Sequence, residues 1–259
     1  MSEKLTPLGA FCWEELQSLD LGKAVPFYKE LIGWSSKDWP LPGGAVYTLL
    51  GPDEKTYVAG AQPHSRRETV DWSGWLCYIN VSDVDGTAAR TAELGGSVVF
   101  PPHDIPDVGR AAVLKDPEGV IFALICFLRP SKEPENHIGA FCWRELMTHD
   151  ATRAAAFYTG LLGWTTETMS MGDFGDYTLF KADGHQVGGM MAITPEMGPA
   201  PAMWTPYVSV TDVDALAARA GQLGGRLCVP PMDVPGVGRF CTVTDPAGAA
   251  LALITLLQA

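Results

Sequence analysis

The sequence is short of positive charge, of histidine and of long apolar runs. Its 18 Lys and Arg stand against 30 Asp and Glu, a formal net charge of -12. So acidic a surface repels phosphate backbones and anionic lipid headgroups, and neither nucleic acid nor a membrane is an expected partner. The longest apolar run, Gly119 to Leu128, is about half of the ~20 residues that a membrane-spanning helix needs. Met1–Gly9 lacks a basic stretch followed by an apolar one, so no secretory signal is expected. Six cysteines are present without C-x-x-C spacing, which fits reduced, mostly buried thiols in a cytoplasmic protein. Neither G-x-G-x-x-G nor a P-loop occurs, and the pairs Gly43-Gly44, Gly95-Gly96 and Gly188-Gly189 read as ordinary stops. No Ser or Cys nucleophile stands at a predictable distance from a histidine, so dinucleotide, ATP and hydrolase chemistry fall away.

What is present is a repeat. Gly9-Ala10-Phe11-Cys12-Trp13 returns as Gly139-Ala140-Phe141-Cys142-Trp143, and Phe27-Tyr28 returns as Phe157-Tyr158. Gly33-Trp34 and Tyr47-Thr48-Leu49 return as Gly163-Trp164 and Tyr177-Thr178-Leu179. After a one-residue deletion the register continues, with Asp83-Val84-Asp85 matching Asp212-Val213-Asp214 and Val108-Gly109-Arg110 matching Val237-Gly238-Arg239. Matches in register along the whole chain identify a tandem duplication. The expected domains are 7–128 and 137–257, joined by a Pro- and charge-rich linker at 129–136.

Each half divides again. A strand over 11–19 leads to a cap at Asp20 and an amphipathic helix ending at Gly33, interrupted by Pro26. Short strands are expected near 35–39, 46–50 and 58–62. The pattern restarts with a strand over 75–81, a helix capped by Ser82 or Asp83, and strands at 97–100, 110–115 and 120–127. The order is β-α-β-β-β four times over, an α+β fold.

That order resembles the vicinal oxygen chelate superfamily, which includes glyoxalases, bleomycin-resistance proteins and extradiol dioxygenases. The residues that carry it are the F-Y…G-W helix and the D-P-x-G turn, Asp116-Pro117-Glu118-Gly119 and Asp245-Pro246-Ala247-Gly248. W-x-E-L in the first strand and P-P-x-D-(I/V)-P-x-V-G-R before the last are similar to one tandem subgroup. That subgroup includes the mycobacterial 27-kDa antigen type and proteins provisionally named hydroxylases in antibiotic gene clusters. The resemblance implies paired modules curling into half-barrels around a small ligand and, usually, one divalent metal.

The metal ligands implied are His or Gln and Glu on the first and last strands of the modules. Spacing from the helix caps puts Trp13, Leu76, Trp143 and Thr205 at the first-strand positions, and Ala123 and Ala252 at the last. Neither Tyr57–Gln62 nor Gln186–Ala192 contains a Glu. No metal and no other cofactor is therefore expected. His64, His103, His137, His149 and His185 have no counterparts across the repeat and read as exposed loop residues.

Strand alternation puts Trp13, Glu15 and Gln17 on one face, and Trp143, Glu145 and Met147 on the matching one; the metal-ligand place that the resemblance implies for Trp13 and Trp143 turns those faces toward the cavity. Glu15 and Glu145 are the candidate catalytic residues, as general acids or bases or as acceptors for a ligand group. The competing reading is an internal salt bridge to Arg110 and Arg239, which recur in step with them. Trp13, Tyr47 and Tyr78, with Trp143, Tyr177 and Tyr207, are the candidate rings for stacking on a flat ligand, and Arg110 and Arg239, on a strand expected to neighbour the same cavity, complete the candidate ligand-binding set. Pro101-Pro102 and Pro230-Pro231 are expected at the pocket rims. The favoured function is a metal-independent binding protein for a small hydrophobic or aromatic metabolite, acting in sequestration, resistance or delivery. The alternative is a metal-free or accessory enzyme of secondary metabolism, hydroxylase-like or using Glu for proton transfer. A metal-dependent glyoxalase I or extradiol dioxygenase ranks third. A monomer or a homodimer is expected, because fusion supplies internally the pairing of shorter relatives.

Overall fold

The computed structural model describes residues 5–63, 72–129, 137–172 and 175–257. The sequence candidate His64 and the linker residues 130–136 lie outside the described residues. The first half runs β1 (Phe11–Ser18), α1 (Leu21–Ile32), β2 (Ser35–Pro40), β3 (Val46–Gly51) and β4 (Ala59–Pro63), then β5 (Gly74–Asn80), α2 (Val84–Glu93), β6 (Ser97–Ile105), β7 (Gly109–Lys115) and β8 (Ile121–Phe127). The second repeats this as β9 (Phe141–Thr148), α3 (Ala151–Leu162), β10 (Thr165–Ser170), β11 (Asp176–Ala182) and β12 (His185–Ala192), then β13 (Met203–Ser209), α4 (Val213–Ala220), β14 (Arg226–Val234), β15 (Gly238–Thr244) and β16 (Ala250–Leu256). Each half forms one eight-stranded sheet, in the order β2-β3-β4-β1-β5-β8-β7-β6 and its repeat β10-β11-β12-β9-β13-β16-β15-β14. The fold is α+β, with four βαβββ modules.

The helices begin and end where the sequence provides caps. The carboxylates of Asp20, Asp83, Asp150 and Asp212 accept the amide N–H of Lys23, Gly86, Arg153 and Ala215, satisfying donors the first turn leaves open. Gly33 and Gly163 end α1 and α3 in the left-handed region, with φ of 86° and 69°. Pro26 is tolerated inside α1.

Strand β6 runs beyond the expected 97–100 and takes in its double proline, as β14 does in the second half. Pro101-Pro102 and Pro230-Pro231 lie within β6 and β14, the last strands of their sheets. An edge strand tolerates residues without an N–H, and β6 shifts register between Val98 and Phe100 and between Phe100 and His103.

Contacts gather the chain into two compact units that cut across the halves. One comprises Met1–Cys12, Cys77–Glu133 and Trp143–Thr205; the other comprises Trp13–Leu76, Pro134–Cys142 and Pro206–Ala259. Each thus joins modules from different halves, and the reason is aromatic. In the second unit Phe141 packs between Trp34 and Trp75, with ring centroids 5.8 and 5.5 Å away, and Tyr28 stands against both indoles. The Trp34 indole donates to Gly139 O at 2.8 Å and the Trp75 indole to the Tyr28 hydroxyl at 3.0 Å. In the first unit Phe11, Tyr158, Trp164 and Trp204 repeat the box, with Trp164 donating to Gly9 O and Trp204 to Tyr158. Tyr158 in turn donates to Asp116 of the D-P-x-G turn at 3.2 Å.

One clasp of the first unit has no repeat. Glu118 accepts from the His149 amide at 3.0 Å, from its ring Nδ1 at 2.5 Å and from the Thr148 hydroxyl. Ala247 stands at the equivalent place in the other turn. Burial alone would raise the Glu118 carboxyl, but these donors outweigh it and hold the group below its ordinary 4.5.

Two outcomes follow from this packing. Phe141→Ala should lower the unfolding free energy by about 3 to 4 kcal/mol, read from the urea midpoint; a loss under ~1 kcal/mol would mean the box closes without that ring. Glu118→Gln should cost ~1 kcal/mol at neutral pH. Because the folded value is depressed, that contribution is complete above 4.5 and vanishes as pH falls through the folded value. A stability gap between the two proteins that widens in acid would contradict this assignment.

Candidate functional site

The site is built on the sheet face that the helices do not cover. In β1, Leu16 turns into the apolar core beneath α1, so Trp13, Glu15 and Gln17 turn the other way. Parallel β4 sets Gly60 beside Glu15 and Gln62 beside Gln17, and β3 brings Tyr47 onto the same face. A Cβ on Gly60 would stand 1.8 Å from the Tyr47 hydroxyl, so the phenol lies in the space a side chain would have filled. From there Tyr47 accepts the Trp13 indole N–H at 2.9 Å, with the Glu15 carboxylate beside it. Glu15 is buried, at 5% exposure, and its Oε1 accepts the amide N–H groups of Gln17 and Gln62 at 2.5 and 2.8 Å.

The second half repeats the relay. Trp143 donates to the Tyr177 hydroxyl at 2.8 Å, and Tyr177 donates to Glu145 Oε2 at 3.0 Å. Gly189 makes the same room, with an added Cβ 1.9 Å from the Tyr177 oxygen. Burial first, and the neighbouring carboxylate second, push both phenols well above their ordinary 10. They stay protonated, each able to accept from an indole while donating onward.

The structure therefore brings together Trp13, Tyr47 and Glu15, and separately Trp143, Tyr177 and Glu145. The proposed salt bridges to Arg110 and Arg239 require correction. Arg110 alternates with Ala112 and Leu114, which belong to the core, so it emerges on the helix side of β7. There it grips Asp85 through Nε and Nη2 at 2.5 and 2.8 Å, and Asp104 through Nη1 at 2.8 Å. Arg239 does the same with Asp214 and Asp233. These aspartates, led by Asp85 and Asp214, hold both guanidiniums above their ordinary value. The pairs are exposed and tie each β-hairpin to a helix start.

Tyr78 and Tyr207 are buried on β5 and β13, in register with Ala123 and Ala252. Tyr207 lies 5.7 Å from the Phe240 ring. Of the described histidines, His149 is held by Glu118, and His103 meets Pro101 O and packs on Phe100.

The family's metal does not fit the groups at its ligand positions. The Trp13 and Trp143 nitrogens carry hydrogens already given to tyrosines. The Ala123 and Ala252 methyls and the Leu76 side chain offer no lone pair, and the Thr205 hydroxyl stands without carboxylate or imidazole companions at the other positions. Among the described residues no three His, Cys, Asp or Glu side chains cluster as a metal site would require.

Sequence reasoning missed Gly60, Gly189 and Gln62. Gly188-Gly189 lies inside β12 and is not a stop. A glycine in a strand signals close approach by another group, and that signal was available.

A family model described as Glyoxalase/Bleomycin resistance protein/Dioxygenase superfamily matches residues 136–253, and a Glyoxalase-like domain matches 15–125. CFP32 of Mycobacterium tuberculosis, provisionally named a glyoxylase, is 36% identical over 93% of this chain and 93% of its own. DauV of Streptomyces sp., named an anthracycline biosynthesis protein, is 32% identical over 97% of this chain and 94% of its own. Among solved structures, 2,2',3-trihydroxybiphenyl 1,2-dioxygenase from Sphingomonas wittichii superposes with a TM-score of 0.62 at 17% identity, covering 97% of this chain and 91% of that one. The Mn(II)-bound glyoxalase of Novosphingobium aromaticivorans gives 0.61 at 16%, covering 99% and 84%. At such identity these two show the fold alone.

Gly60→Ala tests the relay. Its methyl must expel the Tyr47 ring, at a cost of about 1 to 3 kcal/mol, with a changed near-ultraviolet tryptophan dichroism. An unchanged spectrum would place the phenol elsewhere.

Proposed function

The chain belongs to the glyoxalase, bleomycin-resistance and dioxygenase superfamily in both halves, and from that premise we propose that it is a metal-independent binding protein for a small planar aromatic metabolite. The observation that carries this reading is the duplicated relay of indole, phenol and carboxylate. A tryptophan whose N–H is already satisfied presents its ring face, rather than its polar edge, to whatever enters. The carboxylate supplies an acceptor for a ligand hydroxyl or amine, which orients a flat molecule along the ring. Two amides and a phenol gathered around Glu15 make it an anchored acceptor rather than a group poised to take a proton. The relative named an anthracycline biosynthesis protein supports a polycyclic aromatic ligand in a biosynthetic setting, which suits delivery and the accessory-enzyme alternative alike. The relative provisionally named a glyoxylase favours chemistry, but the donor set at the ligand positions does not support it by the family's metal.

Titration of a panel of planar aromatic compounds, followed by tryptophan fluorescence, tests the proposal. Binding is expected to survive dialysis against a chelator and to weaken at least about tenfold in Trp13→Ala/Trp143→Ala, as befits loss of stacked rings. Silence across the panel, or binding lost with the metal, would contradict it. Turnover that disappears in Glu15→Gln/Glu145→Gln would move the reading to the enzymatic alternative.

A further inference from the structure

The two relays are alike, but the rows of side chains beside them are not. In the second half, register partners run across four neighbouring strands on one face. Met169 faces Tyr177, Tyr177 faces Met191, and Met191 faces Met147. In the first half Trp39 faces Tyr47 and Gln62 faces Gln17. Both glutamines are spent on Glu15. At the matching places beside Glu145 stand two thioethers, which donate no hydrogen bond. Met147 and Met191 are half-buried, and Met169 is 39% exposed at the outer end of the row.

We propose that the halves differ in specificity, and that the second half alone takes an apolar, polarisable fused-ring ligand, with Met147, Met169 and Met191 as the residues that select it. This rests on the binding function proposed above and names the site and the ligand class within it. Thioethers are flexible and polarisable, make favourable contacts with aromatic rings, and adapt to a flat molecule of irregular outline. Together with the Trp143 and Tyr177 rings they make a face that gains by being covered. A carboxylate has room for about four donors, so a ligand hydroxyl can join Tyr177 on Glu145. The first half offers the same ring less favourable ground. Covering it strips water from the part-exposed amides of Gln17 and Gln62, whose carbonyl oxygens an apolar ring cannot replace with a partner.

The test is a calorimetric titration of the full chain with 1,4-dihydroxyanthraquinone, an uncharged planar probe with two phenolic hydroxyls. One equivalent should bind, and Met147→Gln/Met191→Gln, which installs the first half's residues, should weaken it by roughly tenfold, as the summed sulfur–ring contacts imply. Near-ultraviolet dichroism checks that this variant is folded. If it is not, Met147→Leu/Met191→Leu keeps the bulk and removes the sulfur, and should weaken binding about threefold. Two equivalents of equal affinity, or one equivalent indifferent to both variants, would overturn the inference while leaving the binding function standing. No heat with this probe, but binding of another member of the fluorescence panel, would overturn it as well. Silence with every compound would remove both.

Discussion

A hydrogen bond from an indole to a phenol, made possible by a missing side chain, is the constraint on which the site depends. Gly60 and Gly189 leave the space that the Tyr47 and Tyr177 hydroxyls fill. From that space each hydroxyl fixes a tryptophan on one side and meets a carboxylate on the other. Spacing from the helix caps assigns to these tryptophans the places of the family's first metal ligand. The relay thus does two things through one geometry. It sets an indole, whose nitrogen has no free lone pair, at the place of a metal ligand, and it locks that large ring in one orientation. A rigid ring loses little conformational entropy when it is covered, which is the physical advantage of preorganisation in binding.

The module pairing gives that geometry its support. Phe11 and Phe141 begin the strands that carry the two relays, and each phenylalanine is held in an aromatic box of indoles and a tyrosine. Tight packing around the first residue of β1 and β9 fixes the start of the strand from which Trp13 and Trp143 project two residues later. Interiors packed this densely transmit displacement rather than absorb it. The Glu118 clasp adds a further tie at the end of β9 only, where Thr148 and His149 lead into α3. At the corresponding end of β1 the Ser73 hydroxyl accepts the Leu19 amide N–H at 3.0 Å.

Much of this was legible in the sequence, and the failures are specific. Element order, caps and the α+β class followed from periodicity and from carboxylates placed before helices, because those signals are local. That Trp13 and Glu15 share a face followed from strand alternation, and the burial of Leu16 on the other face agrees with it. Arg110 and Arg239 were misassigned because recurrence in step with the glutamates was taken for proximity. Alternation against Ala112 and Leu114, or Cys241 and Val243, already turned them to the helix side. The pairing of modules from different halves was not legible, since a repeat that matches itself everywhere does not say which copies pack together. Nor was the Met row, which exists only once strands distant in sequence are set in register.

The most direct test of the central claim is anomalous scattering from crystals grown in manganese(II). With the relays in place, no stoichiometric peak should lie within coordination distance of Glu15 or Glu145. A fully occupied ion bound to either carboxylate, with the neighbouring indole swung aside, would contradict the account.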